Sequence, residues 1–267
     1  MYRFVFKPKW LLFHLLIATL VVVMVNLAFW QLHRLQDKRE FNAEVRARSS
    51  MPLAPFDQVV TDQITTVDDS DQVEWRPVEV TGTYLGDEQV IVINKSQAGA
   101  AGQNVVTPLQ LADGELVLVN RGFVPDTDPI PAAPTGLVTI TGRLKGTEKR
   151  SFGGLTDPAD GELTELHRLD IARVSEQLPG PVAPVYVELL TSNPSAPNDP
   201  IPLPDPELDE GPHLSYMMQW FIFSISAIVG WVLAIRRSAR RRVIATAAPA
   251  PWDSPQPSVD EPTTAPR

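Results

Sequence analysis

The chain has no cysteine among its 267 residues. Disulfide bonds, thiolate zinc sites and thiol nucleophiles are therefore excluded. Histidine is scarce as well: His14, His33, His167 and His213 are the full set. No G-x-S-x-G elbow and no H-E-x-x-H pair occurs. The small, Gly-rich stretch 96–104 lacks the Lys-Ser/Thr and following helix of a phosphate-binding loop, and reads as a flexible loop. Acid pairs such as Asp68/Asp69 sit in loops and read as solvated surface. No repeat is visible. Nothing in these patterns argues for hydrolysis or group transfer.

Positive charge is also missing where it would matter for nucleic acid. The formal net charge is −9, and it is unevenly spread. Residues 31–213 hold 14 Lys/Arg against 29 Asp/Glu, a balance of −15, while the two ends together carry +6. An acidic middle speaks against a nucleic-acid surface, which needs basic residues. Between Ser175 and Tyr216 there is no Lys or Arg at all.

Two long apolar runs are present. Trp10–Trp30 covers about 21 residues, roughly 31 Å of helix, enough to cross a bilayer. It lacks the short core and small-residue cleavage site of a signal peptide, so it is expected to remain as a span. Within it, His14 and Asn26 are each candidates to hydrogen-bond across to another helix; Asn26 is the one expected to do so, and His14 near the inner end is expected to be tolerated there. The second run, Tyr216–Ile235, is again a full span, and its small residues Ser224, Ser226, Ala227 and Gly230 suit close packing against the first. It is followed by Arg236, Arg237, Arg240, Arg241 and Arg242. That cluster places the C-terminus in the cytoplasm. With two spans, both termini lie inside and residues 31–215 outside. The expected location is the cell membrane, multi-pass.

Between the spans, residues 30–48 contain no Gly or Pro and should continue the first helix outward, with Pro52 and Pro55 ending it. A short helix or loop is expected near residues 55–66. Strands are expected over 76–84, 89–94, 105–111, 115–120, 137–144 and 182–190. Asp113-Gly114 marks a hairpin, 126–136 is a Pro-rich excursion, and 170–178 a short helix. Residues 192–212 hold seven prolines and read as an extended linker into the second span. The tail, 245–267, cannot bury a core and is expected to be disordered. The fold class is α+β: two transmembrane helices flanking an extracytoplasmic antiparallel β-rich domain, a small sheet or partial barrel. The boundaries are 1–9 cytoplasmic, 10–30 span, 31–191 domain, 192–212 linker, 213–235 interfacial motif and span, and 236–267 basic tail.

Two places invite a functional reading. Arg121, directly after a strongly apolar strand, either turns to solvent or caps a loop, or else binds an anion. His213, Tyr216, Met217 and Trp220 fall at i, i+3, i+4 and i+7 and share one helix face where the second span begins. Interfacial Trp and Tyr belong at the headgroup level of almost any span, and a His there can simply be solvated. The alternative is a ligand site at the outer leaflet, with His213 as metal ligand or proton carrier.

Four segments, in order, carry a resemblance. Trp30-Gln31-Leu32 with Arg34 resembles W-Q-L-x-R, and Gly102–Leu109 resembles G-x-x-V-x-T-P-L. Val117–Pro125 reads V-L-V-N-R-G-F-V-P, and His213-Leu214-Ser215-Tyr216 with Gln219-Trp220 resembles H-x-x-Y-A-x-Q-W. Together, and flanked by two spans, they resemble the Surfeit locus protein 1 family, membrane proteins that assist cytochrome c oxidase assembly. Ala28, Phe123 and Met217 stand where Gly, Trp and Ala are usual; Met217 puts a bulkier thioether one turn from His213.

The resemblance implies an assembly factor, not an enzyme, acting with oxidase subunit I and other assembly factors, and haem a as the bound group. It implies His213 as the iron ligand. Haem is apolar with two carboxylates, so a carrier needs a membrane-level groove, an imidazole and polar groups for the propionates. On that reading Tyr216 and Trp220 line the ring, Arg34 pairs with a propionate and Gln31 hydrogen-bonds one. His33, at the same depth on the other span, is the candidate second axial ligand. Rival readings are a scaffold that holds oxidase subunits without haem, and a membrane-anchored enzyme or sensor.

Overall fold

The computed structural model describes residues 3–150, 153–195 and 198–247. The chain forms two units, Met1–Arg39 with Asp209–Arg267, and Glu40–Leu208.

The first unit is a pair of antiparallel helices. Helix α1 spans Pro8–Ser49, the last ten residues belonging to the other unit, and α4 spans His213–Ala247. Both are long and apolar enough to cross a membrane. Along α1 the less exposed residues recur at His14, Ile17, Val21, Met24, Ala28, Gln31 and Leu35. Along α4 they recur at His213, Met217, Trp220, Ser224, Ala227 and Trp231. Alternating steps of three and four give each helix one seam, the pattern of coiled-coil packing. Phe29 meets Phe221 edge-on at 5.9 Å. The remaining surface is apolar and open, with Leu12 68% and Ile225 61% exposed, a surface suited to lipid and not to water.

Two expectations about the helix pair are corrected. Asn26 does not reach the other helix; its side-chain N–H donates to the Val22 carbonyl of its own helix, 2.8 Å away. His14 makes a cross-helix bond instead: its Nδ1 accepts from Trp231 Nε1 at 2.8 Å. Position decides this: His14 lies on the seam, and Asn26 lies beside it. For the same reason Ser224 and Ala227 are packed while Ser226 and Gly230 are exposed. The basic segment after Ile235 is not a structureless tail either. Helix α4 continues through it to Ala247, since Ala and Arg favour helix and no Pro intervenes. The tail from 248 lies outside the described residues.

The second unit is a mixed sheet. Its strands are β1 (Ala54–Pro55), β2 (Pro77–Tyr84), β3 (Val90–Gln97), β4 (Ala100–Gln110), β5 (Leu116–Pro125), β6 (Leu137–Lys145), β7 (Glu165–Leu166) and β8 (Val182–Asn193). The order is β1-β2-β6-β8-β5-β4-β3-β7. Pairing of Thr83 with Gln110 and Tyr84 with Leu109 closes β2, β6, β8, β5 and β4 into a ring, so the expected partial barrel is present. Two short helices, α2 (Phe56–Val59) and α3 (Ile171–Ser175), complete the unit; Asp170 caps α3 by accepting from Arg173 N.

The sheet is not purely antiparallel: β5 runs parallel to β8. Strand β8 pairs with both β5 and β6, so it fills the gap between two strands that follow each other in sequence. Strands separated by a third lie roughly 9.6 Å apart, which is why the connection is the 126–136 excursion and not a tight turn. Strand β5 is covered on both faces. Val117 and Val119 join the barrel core with Val80, Leu109, Ile140 and Val187. Leu118 joins a second cluster with Val92, Val106, Leu166 and Val174. Burial on both sides explains the unbroken apolar run Leu116–Val119.

The expected loop at 96–104 is a hairpin. Strands β3 and β4 pair through Gln97 and Ala100, and the turn is Ala98-Gly99 with φ of 51° and 84°. Two left-handed residues make the tight turn that matches strand twist. The small side chains hide this in the sequence, because backbone pairing rather than an apolar face holds the hairpin.

The linker is also corrected. Strand β8 runs to Asn193, and beyond it the chain is strapped to the sheet. Ile201 and Phe123 exchange two backbone hydrogen bonds of 2.7 and 2.8 Å. Pro202 O accepts from Gln97, Pro204 O from Arg143, and Leu208 O from Arg46. A proline-rich strap loses few donors and keeps its carbonyls, which is what these side chains use. Gly122 lets the strap in. Its φ is +128°, and a Cβ there would lie 2.4 Å from Ile201 O. Gly122→Ala should therefore cost about 2–3 kcal/mol in thermal unfolding. A change below about 0.5 kcal/mol, the range of a neutral surface substitution, would mean the strap yields freely.

Candidate functional site

The polar groups of interest form two separate constellations, one in each unit.

In the helix pair, His213 is the first residue of α4 and is half-buried. Pro212 precedes it, and its carbonyl accepts from Tyr216 N at 3.1 Å and from Ser215 Oγ at 2.8 Å, fixing the first turn. His213 Nδ1 lies 2.8 Å from Gln31 Oε1. A carboxamide oxygen only accepts, so Nδ1 donates, and in the neutral ring Nε2 keeps its lone pair. The Nε2 edge faces Gly211: a Cβ at that residue would sit 3.4 Å from Nε2 and Cδ2. Beyond Pro212, Glu210 is held by Arg39 at 2.8 Å.

Gln31 therefore holds His213 through its Oε1. Met217 and Trp220 flank His213 on the seam, and Trp220 stacks edge-on with Phe223 at 6.0 Å. Tyr216 stands at the side, 45% exposed. Arg34 lies one turn beyond Gln31, exposed and 3.6 Å from Asp37; so open a pair is weak and leaves the guanidinium available. His33 is not brought to the site. Two residues past Gln31 is about 200° around a helix, and His33 is exposed there. Gly211, Glu210 and Arg39 had no sequence signal, since each matters only through what the fold puts beside it.

In the sheet unit, Arg121 is 1% exposed, so it does not turn to solvent; it caps the 126–136 loop through the carbonyls of Pro131 and Ala132. The register slips between Val105 and Val106, leaving Arg121 as the extra residue of a bulge. A bulge re-aims the side chain. One guanidinium nitrogen donates to Gln89 Oε1 at 3.3 Å and Pro131 O at 3.2 Å; the other donates to Ala132 O at 3.0 Å and Asp199 Oδ1 at 3.2 Å. The Tyr84 ring lies 5.7 Å away, and burial holds its phenol well above the ordinary range. Arg121 is thus an internal tie between the 126–136 excursion and the strap. A second cation pair borders a cleft of about 360 Å³ lined by Val45, Trp75, Arg143, Leu190, Asp205 and Leu208. Arg143 is committed there to Glu188 at 2.6 Å and Asp205 at 2.9 Å. Neither guanidinium is free for an anion.

Among the described residues no three His, Asp or Glu gather as a metal cage. The helix pair offers instead one oriented imidazole. That suits an iron whose other positions are filled by a macrocycle, and does not suit a bare metal ion.

Comparison with known proteins bears on this site. The sequence model of the SURF1 family matches residues 18–225. An uncharacterised SURF1-like protein of Mycobacterium bovis is 30% identical over 258 residues, 94% of this chain and 93% of that protein. A SURF1-like protein of Monosiga brevicollis is 28% identical over 82% of this chain and 86% of its own length. One from Caenorhabditis elegans is 22% identical over 86% of this chain. The matched range contains both Gln31 and His213.

Proposed function

Because the chain belongs to the SURF1 family, a family known generally for oxidase assembly factors rather than enzymes, we propose that it is a membrane-anchored assembly factor for cytochrome c oxidase. It assists haem a insertion into subunit I, acting beside other assembly factors. Helices α1 and α4 cross the cell membrane, both termini are cytoplasmic, and the sheet unit stands outside. The arginines after Ile235 support that orientation, and the long segment between the spans crosses largely regardless of its charge.

The observation that carries the haem reading is the Gln31–His213 bond of 2.8 Å. Ligating histidines are held this way, with one ring nitrogen donating to a fixed acceptor so that the other presents its lone pair. His213 would hold the iron. Trp220 and Met217 supply apolar surface next to it, and Arg34 a cation for a propionate. When bound, haem a supplies only its iron and its bulk; the chain's part is to orient the imidazole and shield it in the helix pair.

The test is the visible spectrum of the detergent-purified protein, co-expressed with haem a synthesis. A Soret band is expected. If the band is absent while subunit I still co-purifies, the haem reading fails and the protein is a scaffold.

A further inference from the structure

We propose that the end of α4 from Arg236 to Arg241 is a binding surface for the phosphate headgroups of anionic phospholipids. The inference rests on reading α4 as a span. Arg236, Arg237, Arg240 and Arg241 are all exposed. At about 100° per residue they cover an arc of roughly 140°. Ala239, 1% exposed, lies outside that arc, and so does the seam facing α1. The arginines therefore point away from the helix pair.

Several arginines elsewhere find carboxylates: Arg34, Arg39, Arg48, Arg143 and Arg173 each have one within 4.0 Å. No Asp or Glu occurs in residues 1–30 or 213–247, so neither helix of the pair offers one near this end. Depth selects the partner. The cluster begins directly after Ile235 and extends about 7.5 Å along the helix. The headgroup layer outside each face of the hydrocarbon is roughly 5–8 Å deep. All four guanidiniums fall within it, whereas a soluble acidic partner would call for charge farther out. Arg236 with Arg240, and Arg237 with Arg241, are i,i+4 neighbours, about 5–6 Å apart at Cβ. Each pair can present two planar forks to one phosphate.

A topology signal alone needs positive charge but no binding, and the two are separable. The full-length protein is reconstituted in phosphatidylcholine bilayers containing a minor fraction of phosphatidylglycerol and re-extracted. The ratio of the two lipids retained is read by mass spectrometry. Phosphatidylglycerol is expected to be enriched, and the enrichment to collapse in 1 M salt, where screening acts within about 3 Å. Each arginine near the surface is worth about fivefold in affinity, so R240Q/R241Q should weaken retention at least about tenfold. That variant keeps Arg236 and Arg237 for insertion, and R240K/R241K should retain most of the enrichment. Lack of enrichment in the wild type, or equal enrichment in R240Q/R241Q, overturns the proposal. So does displacement of the lipid by inorganic phosphate at equal concentration. Protease protection of the wild type tests the span reading separately.

Discussion

Arg121→Met should unfold the sheet unit about 10 °C below wild type. The guanidinium is buried and makes four hydrogen bonds, one of them to the carboxylate of Asp199, itself 21% exposed. Methionine fills much of the volume but donates nothing. Asp199 then loses its countercharge, and the carbonyls of Pro131 and Ala132 lose a donor. Breaking one side of a buried pair costs about 3–5 kcal/mol. Partial exposure of Asp199 lets water return, so the lower end applies. For a unit of this size each kcal/mol moves the midpoint by about 2–4 °C. The same logic gives a control. Asp199→Asn in the Arg121→Met background should recover part of the loss, because no charge is left behind. A midpoint shift under about 2 °C in thermal melts of the full-length protein would show that Arg121 is rehydrated and ties nothing.

Why Arg121 was illegible in the sequence shows where reading by pattern stops. Strand β5 announced itself through four consecutive apolar residues, and its hairpin partner through Asp113-Gly114. Both are local signals. That β8 inserts between β5 and β6 is not local. Nothing in residues 182–193 distinguishes a parallel neighbour from an antiparallel one until the sheet is assembled. The bulge at Arg121 follows from register, so the fate of the side chain does too. The strap at 198–208 is hidden in the sequence for another reason. Proline density reads as unattached chain, but what holds it is the carbonyls it retains, and their partners Gln97, Arg143 and Arg46 are far away in sequence. The helix pair was legible as length and apolarity. Its seam was present as well, in the steps of three and four from His14 to Leu35, but small residues and polar residues off that seam drew the attention. For the site, the motif supplied His213 and Gln31 as separate residues. Their bond comes only from the antiparallel register of α1 and α4.

That bond sets the second large effect. On the proposed haem reading, His213→Ala should lower haem affinity at least about 100-fold, because the iron would lose its imidazole while the apolar contacts remain. Gln31→Leu tests the orientation separately. Leucine keeps apolar bulk on the seam but cannot accept from Nδ1, so the ring is free to turn or to move its proton to Nε2. Loss of such a partner typically costs about 10–100-fold in metal affinity. Gln31→Glu points the other way. A carboxylate accepts the Nδ1 proton more strongly and raises the basicity of Nε2, so haem should be retained and its reduction potential lowered. The three variants separate the readings through haem titrations and potentials of the purified proteins. Loss in His213→Ala with unchanged binding in Gln31→Leu would leave His213 a ligand and reduce Gln31 to packing. Unchanged binding in His213→Ala would make the 2.8 Å bond a clasp between two spans and nothing more. A graded order, Gln31→Glu retained, Gln31→Leu weakened and His213→Ala lost, is the result expected of an imidazole held in one tautomer so that Nε2 can meet iron.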